Sequence, residues 1–248
     1  MRLPLGALLL LALPGVASAV SCRDMDFDGA SYTVCEVQAG EDLRLFAEGP
    51  AGPFGSFAAL EAHLAQTGAT LAFAMNAGMF DEAYLPIGLF VEAGVERKRI
   101  VTREGPGNFG LLPNGVFCMA PVDDAGPAFR IVESRAFAES PPACWMATQS
   151  GPLLVMDGAL HPRFAPDSTS LNYRNGVGVS DDGARALFVI SNDAVNFHSF
   201  ARLFRDGLGI AQALFLDGSI SRLHAPALGR SDLGFPIGPI VAVIEPRE

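Results

Sequence analysis

The apolar residues of this chain come in short runs that stop at Gly, Pro, Asn or Asp, and this punctuation limits the fold more than any other feature. Tyr32-Thr-Val-Cys-Glu-Val-Gln, Leu71-Ala-Phe-Ala-Met, Gly115-Val-Phe-Cys-Met, Ala186-Leu-Phe-Val-Ile-Ser and Ala213-Leu-Phe-Leu are strand-length and rich in β-branched and aromatic residues. Leu43-Arg-Leu-Phe, Gly88-Leu-Phe-Val-Glu, Gly110-Leu-Leu, Ala128-Phe-Arg-Ile-Val, Met146-Ala-Thr-Gln-Ser, Leu153-Leu-Val-Met and Gly176-Val-Gly-Val-Ser read the same way. Asp157-Gly158 and Asp181-Asp-Gly183 are hairpin signals. Two segments instead carry helical spacing. One opens at the N-cap Ser56 and stops at Gly68, and the other covers residues 196–208. Gly105-Pro-Gly and the tail after Pro226 read as loops. With few β-α-β alternations, the expectation is an α+β chain forming a single domain, with a mixed, strand-rich sheet and a few packed helices.

The first residues add a location. Met1-Arg2 is positive, residues 3–16 are almost wholly apolar, and Ala17-Ser-Ala19 supplies small residues at a cleavage site. Residues 1–19 therefore read as a secretory signal peptide, leaving residues 20–248 as the mature domain, periplasmic or secreted. No later apolar stretch reaches the ~18 residues a bilayer span needs, so no stable membrane insertion is expected after cleavage. An uncleaved anchor, or a lipoprotein modified at Cys22 in Ala19-Val-Ser-Cys22, are the alternatives. In an oxidising compartment Cys22, Cys35, Cys118 and Cys144 favour two disulfides. Three pairings are possible. Cys22–Cys35 and Cys118–Cys144 are preferred, since each closes a short loop between segments that read as neighbouring strands.

Charge excludes some partners. The net charge of −10, from 27 acidic against 17 basic residues, lacks the basic footprint that nucleic acid or anionic membrane requires. A phosphate-bearing substrate stays open, because a few arginines within a screening length of ~10 Å outweigh distant acids. No C-x-x-C, H-x-H or H-x-x-x-H occurs, so neither a metal nor a cofactor is expected. There is no G-x-S-x-G elbow and no phosphate-binding P-loop.

Polar clusters stand at the ends of the apolar strands, where a rigid core presents site residues. They are Asn76-Ala-Gly-Met-Phe80, Gln149-Ser-Gly-Pro-Leu-Leu-Val155, Arg174-Asn-Gly-Val-Gly178 and Leu216-Asp-Gly-Ser-Ile-Ser221. Singly, each is also common turn chemistry. In this order and spacing the set resembles the phosphodiester glycosidase family, over about residues 70–225. A bacterial subgroup of that family also carries Val195-Asn-Phe-His-Ser-Phe-Ala201 and Leu214-Phe-Leu-Asp-Gly-Ser-Ile-Ser221. Departures are Ala77 and Ser219 where the family has glycine, and Met79 where it has phenylalanine.

The resemblance implies an exported hydrolase of a glycosyl phosphodiester, acting on a carbohydrate or sugar-phosphate substrate. The expected catalytic residues are Asp217 as base or nucleophile, Arg174 as a fork for the phosphate, and Asn76 as an amide donor. Gln149, Ser150, Gly151, Gly78 and Ser219 are the expected substrate-binding residues. Asp81 is the candidate general acid, if the acidic phosphate leaving group needs one. The alternative is a non-catalytic saccharide-binding or envelope assembly module on the same fold. The enzymatic reading expects Asn76, Gln149, Arg174 and Asp217 to line one cavity.

Overall fold

Three hairpins are set by pairs of residues with positive φ. Asp28-Gly29, Ala93-Gly94 and Asp157-Gly158 each supply two consecutive left-handed residues, the turn whose twist matches that of flanking strands. In the computed structural model, which describes residues 20–121, 126, 128–218 and 220–247, such hairpins assemble into three principal sheets. The expected leader, residues 1–19, and Ser219 lie outside the described residues.

The seven-stranded sheet runs in the order Ser21–Phe27, Ala30–Gln38, Arg185–Ser191, Asn175–Val179, Gln212–Asp217, Leu153–Met156, Ala159–Leu160. A five-stranded sheet has Met146–Ser150 at its centre, between Gly115–Met119 and Phe90–Glu92. A second five-stranded sheet has Ala69–Asn76 at its centre, between Leu223–Ala225 and Ile240–Pro246. The α+β class is what is observed. The single mixed sheet expected from sequence is instead several sheets, and their pairings among the described residues are antiparallel.

Period-2 alternation decides which face each strand buries. Val177, Val179, Phe188 and Leu214 of the large sheet face Phe73 and Met75 of one smaller sheet and Phe117 and Met146 of the other. Phe188 contacts Phe73 and Phe117 at ring-centroid distances of 5.1 and 5.7 Å. Burying each of these rings contributes about 1.5–3 kcal/mol. The opposite face of the large sheet packs Tyr32, Leu154 and Phe215 against Phe200 and Phe204. Those two rings come from the Phe197–Arg202 helix and the wider turn that follows it, and Asn196 caps the helix by accepting from Ser199 N at 2.8 Å. The Phe57–Leu64 helix, capped by Ser56 and stopped by Gly68 at φ 72°, covers the outer face of the Ala69–Asn76 sheet.

Two sequence expectations change. The segment after Pro226 is not all loop: Ile240–Pro246 is an inner strand paired on both sides. Its Ile-Val-Ala-Val-Ile run lacks polar alternation because both faces are buried. Gly110-Leu-Leu forms turns rather than a strand. Both preferred disulfides are present. Cys22 and Cys35 face each other across adjacent strands, with Cα atoms 4.0 Å apart, and Cys118–Cys144 links the ends of a second strand pair.

Candidate functional site

Strand ends from all three sheets meet at one place, held there by side chains bonding to backbone. Asn76 ends its strand, Asn175 begins one, and Ser150 and Asp217 end theirs. Thr148 Oγ1 donates to Ala77 O at 2.9 Å, joining the two five-stranded sheets. Ser150 Oγ donates to Leu216 O at 2.8 Å, joining one of them to the seven-stranded sheet. Leu216 is free to accept because the pairing slips there: Asn175 opposes Asp217 while Gly176 opposes Phe215. Bulges of this kind re-aim side chains at strand ends.

The bulge presents Asp217. Its backbone N–H donates to Asn175 Oδ1 at 2.7 Å, and Asn175 Nδ2 reaches Asn76 O at 3.5 Å. Asp217 Oδ1 accepts from Gly218 N at 2.6 Å, and Oδ2 accepts from Asn76 Nδ2 at 3.3 Å. Asn76 is fully buried and fully engaged, since Nδ2 also donates to Ile220 O at 2.9 Å and Oδ1 accepts from Arg222 N at 2.7 Å. Burial pushes the Asp217 carboxyl up to about 6, against the hydrogen bonds from Gly218 and Asn76 that favour its ionised form. A carboxyl poised there exchanges its proton near neutral pH.

The four expected cavity residues do not converge as a set. Asn76 and Asp217 are in contact. Arg174 points to the other face of the large sheet, its guanidinium carbon 3.7 Å from the Phe197 ring centre. Its Nε donates to Val195 O at 2.8 Å and its Nη2 to Ser170 O at 3.0 Å. It is 1% exposed, and burial lowers its pKa to about 10. Alternation explains this: Gly176 and Gly178 share that face with Arg174, whereas Asn175 shares the inner face with Val177 and Val179.

Gln149 is likewise committed to the protein. Its Oε1 accepts from Leu89 N and Val101 N, and its Nε2 donates to Val101 O and Ser134 Oγ, at 2.6–3.0 Å. Gly78 has φ 154°, and a Cβ there would lie 3.1 Å from Thr148 Oγ1. At Gly151 a Cβ would collide with Asn114. Both glycines are where backbone packs closely. Asp81 Oδ1 caps a loop by accepting from Ala83 N and Leu85 N, and its Oδ2 lies 3.6 Å from Lys98 Nζ.

Two residues missed in the sequence stand out here, Asn175 and Arg222. Asn175 lies inside the Arg174-Asn-Gly-Val-Gly motif and was overshadowed by its charged neighbour. Arg222 follows the last motif directly. It lines a groove of about 420 Å³ together with Tyr173, Asn192, Ser221, Arg230 and Phe235. Ser221 ties that groove to the Asp217 turn, its Oγ donating to Gly218 O at 2.7 Å. Among the described residues no three His, Cys, Asp or Glu side chains come together as metal ligands.

The three sheets thus meet at a cluster of Asn76, Asn175 and Asp217. Residues 69–224 match the family model described as phosphodiester glycosidase, and the chain belongs to that family. It is 40% identical over 151 residues to the Escherichia coli protein YigE, described as uncharacterized. That match covers 61% of this chain and 57% of the relative, so the chain spans little more than half the relative's length. Among solved structures it resembles the catalytic domain of zebrafish N-acetylglucosamine-1-phosphodiester alpha-N-acetylglucosaminidase, auto-inhibited by its pro-peptide. That superposition has TM-score 0.61 at 12% identity and covers 90% of this chain and 81% of that one. A putative exported protein of Burkholderia pseudomallei superposes with TM-score 0.55 at 11% identity, covering 86% and 74%. A hypothetical protein of Synechocystis gives 0.55 at 16% identity, covering 91% and 61%. At these identities the likeness establishes the fold.

Proposed function

We propose that the protein hydrolyses a glycosyl phosphodiester, with Asp217 as the working carboxylate. The observation that carries this reading is the Asp217 carboxyl itself: largely buried, lifted to about 6, and aimed by a bulge and the amide of Asn76. In the reaction the bond between the anomeric carbon and the phosphate oxygen breaks. Water supplies hydroxide to the carbon and a proton to the departing phosphate. Ionised Asp217 either accepts the proton of the attacking water or stabilises the cationic sugar carbon as a nucleophile. The phosphate leaves as a weak base, so no strongly acidic partner is required, in keeping with Asp81 being engaged in a loop. Asn76 and Asn175 hold the carboxylate and its backbone. Arg174 acts from behind, fixing the start of the Asn175 strand, and Gln149 fixes the loops around residues 89 and 101.

We also read residues 1–19 as a cleaved export leader, and the protein as periplasmic or secreted with a saccharide substrate of the cell envelope. The two disulfides support an oxidising compartment. The Cys22 sulfur is bonded to Cys35, which competes with lipidation at the same atom.

The test is turnover of a sugar-1-phosphate diester by the mature protein. Asp217→Asn is expected to lower kcat by at least ~10³-fold while the variant still folds. Undiminished turnover in that variant would remove Asp217 from the chemistry. Saccharide binding with no turnover by the wild type would favour the binding-module reading.

A further inference from the structure

An arginine that lines a groove with its donors unused by the protein offers them to whatever enters, and this chain has one. Arg222 is 7% exposed, yet its guanidinium makes no hydrogen bond or ion pair among the described residues, although its backbone N–H is held by Asn76. The contrast with two other arginines is informative. Arg174 spends its donors on the carbonyls of Val195 and Ser170. Arg230 spends its own on Asp232, Thr33 and Asn192. The acid nearest in effect to Arg222 is Asp232, and its two oxygens are already taken by Arg230 and the backbone N–H of Leu223. A guanidinium that faces a groove and has no protein acceptor keeps its donors open to a ligand.

The surroundings specify the acceptor's company. Arg222 lies in the groove described above, and Gly234 makes room for its side chain: a Cβ there would lie 2.7 Å from its Nη2. Two aromatic rings stand out into solvent on the same groove, Tyr173 at 55% and Phe235 at 78% exposure. Exposed rings flanking a polar floor are the ordinary means of holding the apolar face of a ligand that also carries polar groups. Ser221 and Asn192 supply neutral polar atoms on that floor.

We propose that this groove is the subsite for the phosphate-bearing end of a saccharide substrate. The Arg222 guanidinium receives two phosphate oxygens, and the Tyr173 and Phe235 rings pack on the attached sugar. The planar fork of arginine suits a phosphate held at two points. This deepens the hydrolase reading and rests on it for the orientation of the ligand toward Asp217. The binding claim itself stands on Arg222.

Binding of inorganic phosphate, glucose 1-phosphate and glucose to the mature protein, followed by calorimetry, tests the proposal. The wild type is expected to bind both phosphates and to bind glucose far more weakly. Arg222→Gln should weaken both phosphates about 10- to 100-fold. Tyr173→Ala should weaken glucose 1-phosphate and leave inorganic phosphate unchanged. If Arg222→Gln does not fold, Arg222→Lys, which keeps the charge and loses the fork, is expected to give a smaller loss of the same sign. Phosphate affinity unchanged in a folded Arg222 variant, or absent in the wild type, would overturn the proposal. Phosphate bound through Arg222 without any turnover would refute the hydrolase reading alone. Turnover with unaltered KM in the Arg222 variant would refute the subsite alone.

Discussion

Asp217 Oδ1 and Oδ2 accept one amide donor each, from Gly218 and Asn76, where bulk water would offer several. Desolvation outweighs those two bonds, and the carboxyl rises to about 6. A carboxyl whose folded-state pKa exceeds its unfolded value binds its proton more tightly in the fold. Its stabilising contribution is therefore complete below the unfolded value of 3.8 and is lost as pH rises through about 6. At about 1.4 kcal/mol per pH unit, the wild type should lose about 2–3 kcal/mol relative to Asp217→Asn across that window. Urea unfolding of both proteins at a series of pH values measures the difference, and parallel curves would contradict the pKa. At this scale the sequence was partly legible. Asp217 and Asn76 were found at strand ends, whereas Asn175 was passed over because a neighbouring arginine drew the phosphate role. Arg222 carries no motif signal of its own, and its free guanidinium becomes visible only once its neighbours are placed.

Between elements, the decisive fact is which face a residue takes. Arg174 and Asn175 are adjacent in sequence and point to opposite faces of the large sheet, so one packs on the Phe197–Arg202 helix while the other meets Asp217. The glycines at 176 and 178 mark the helix side, since a Cβ at Gly178 would lie 2.8 Å from Phe204 and Ile210 atoms. That pattern of glycine on one face and valine on the other was present in the sequence and assigns Asn175 to the core side. Arg174→Lys keeps the charge but forfeits the two-carbonyl fork and the ring stacking. It should cost about 2 kcal/mol in urea unfolding and leave phosphate affinity unaltered. A loss of phosphate affinity with stability intact would return Arg174 to the binding site. The inner strand Ile240–Pro246 was missed for a different reason. A short apolar run buried on both faces has no alternation to announce it.

Over the whole molecule, the site exists because three sheets close on one another, and the bonds that join them there are long-range. The pairings Asn76–Asp217, Thr148–Ala77 and Ser150–Leu216 span 141, 71 and 66 positions. Short runs and turn residues made the strand-rich α+β class legible, and adjacent strands made the disulfides so. The division into three antiparallel sheets depends on those distant contacts and was not legible. The ordered motifs carried the family, which the match over residues 69–224 establishes. Everything functional then depends on Asp217 acting in its ionised form at the junction of the sheets. The pH dependence of kcat/KM on a sugar-1-phosphate diester tests this most directly, because a diester keeps one charge across the range and the profile reports the enzyme. The rate should rise with pH through about 6 and then level off. A profile that is flat across that window, or that falls through it, would contradict the account.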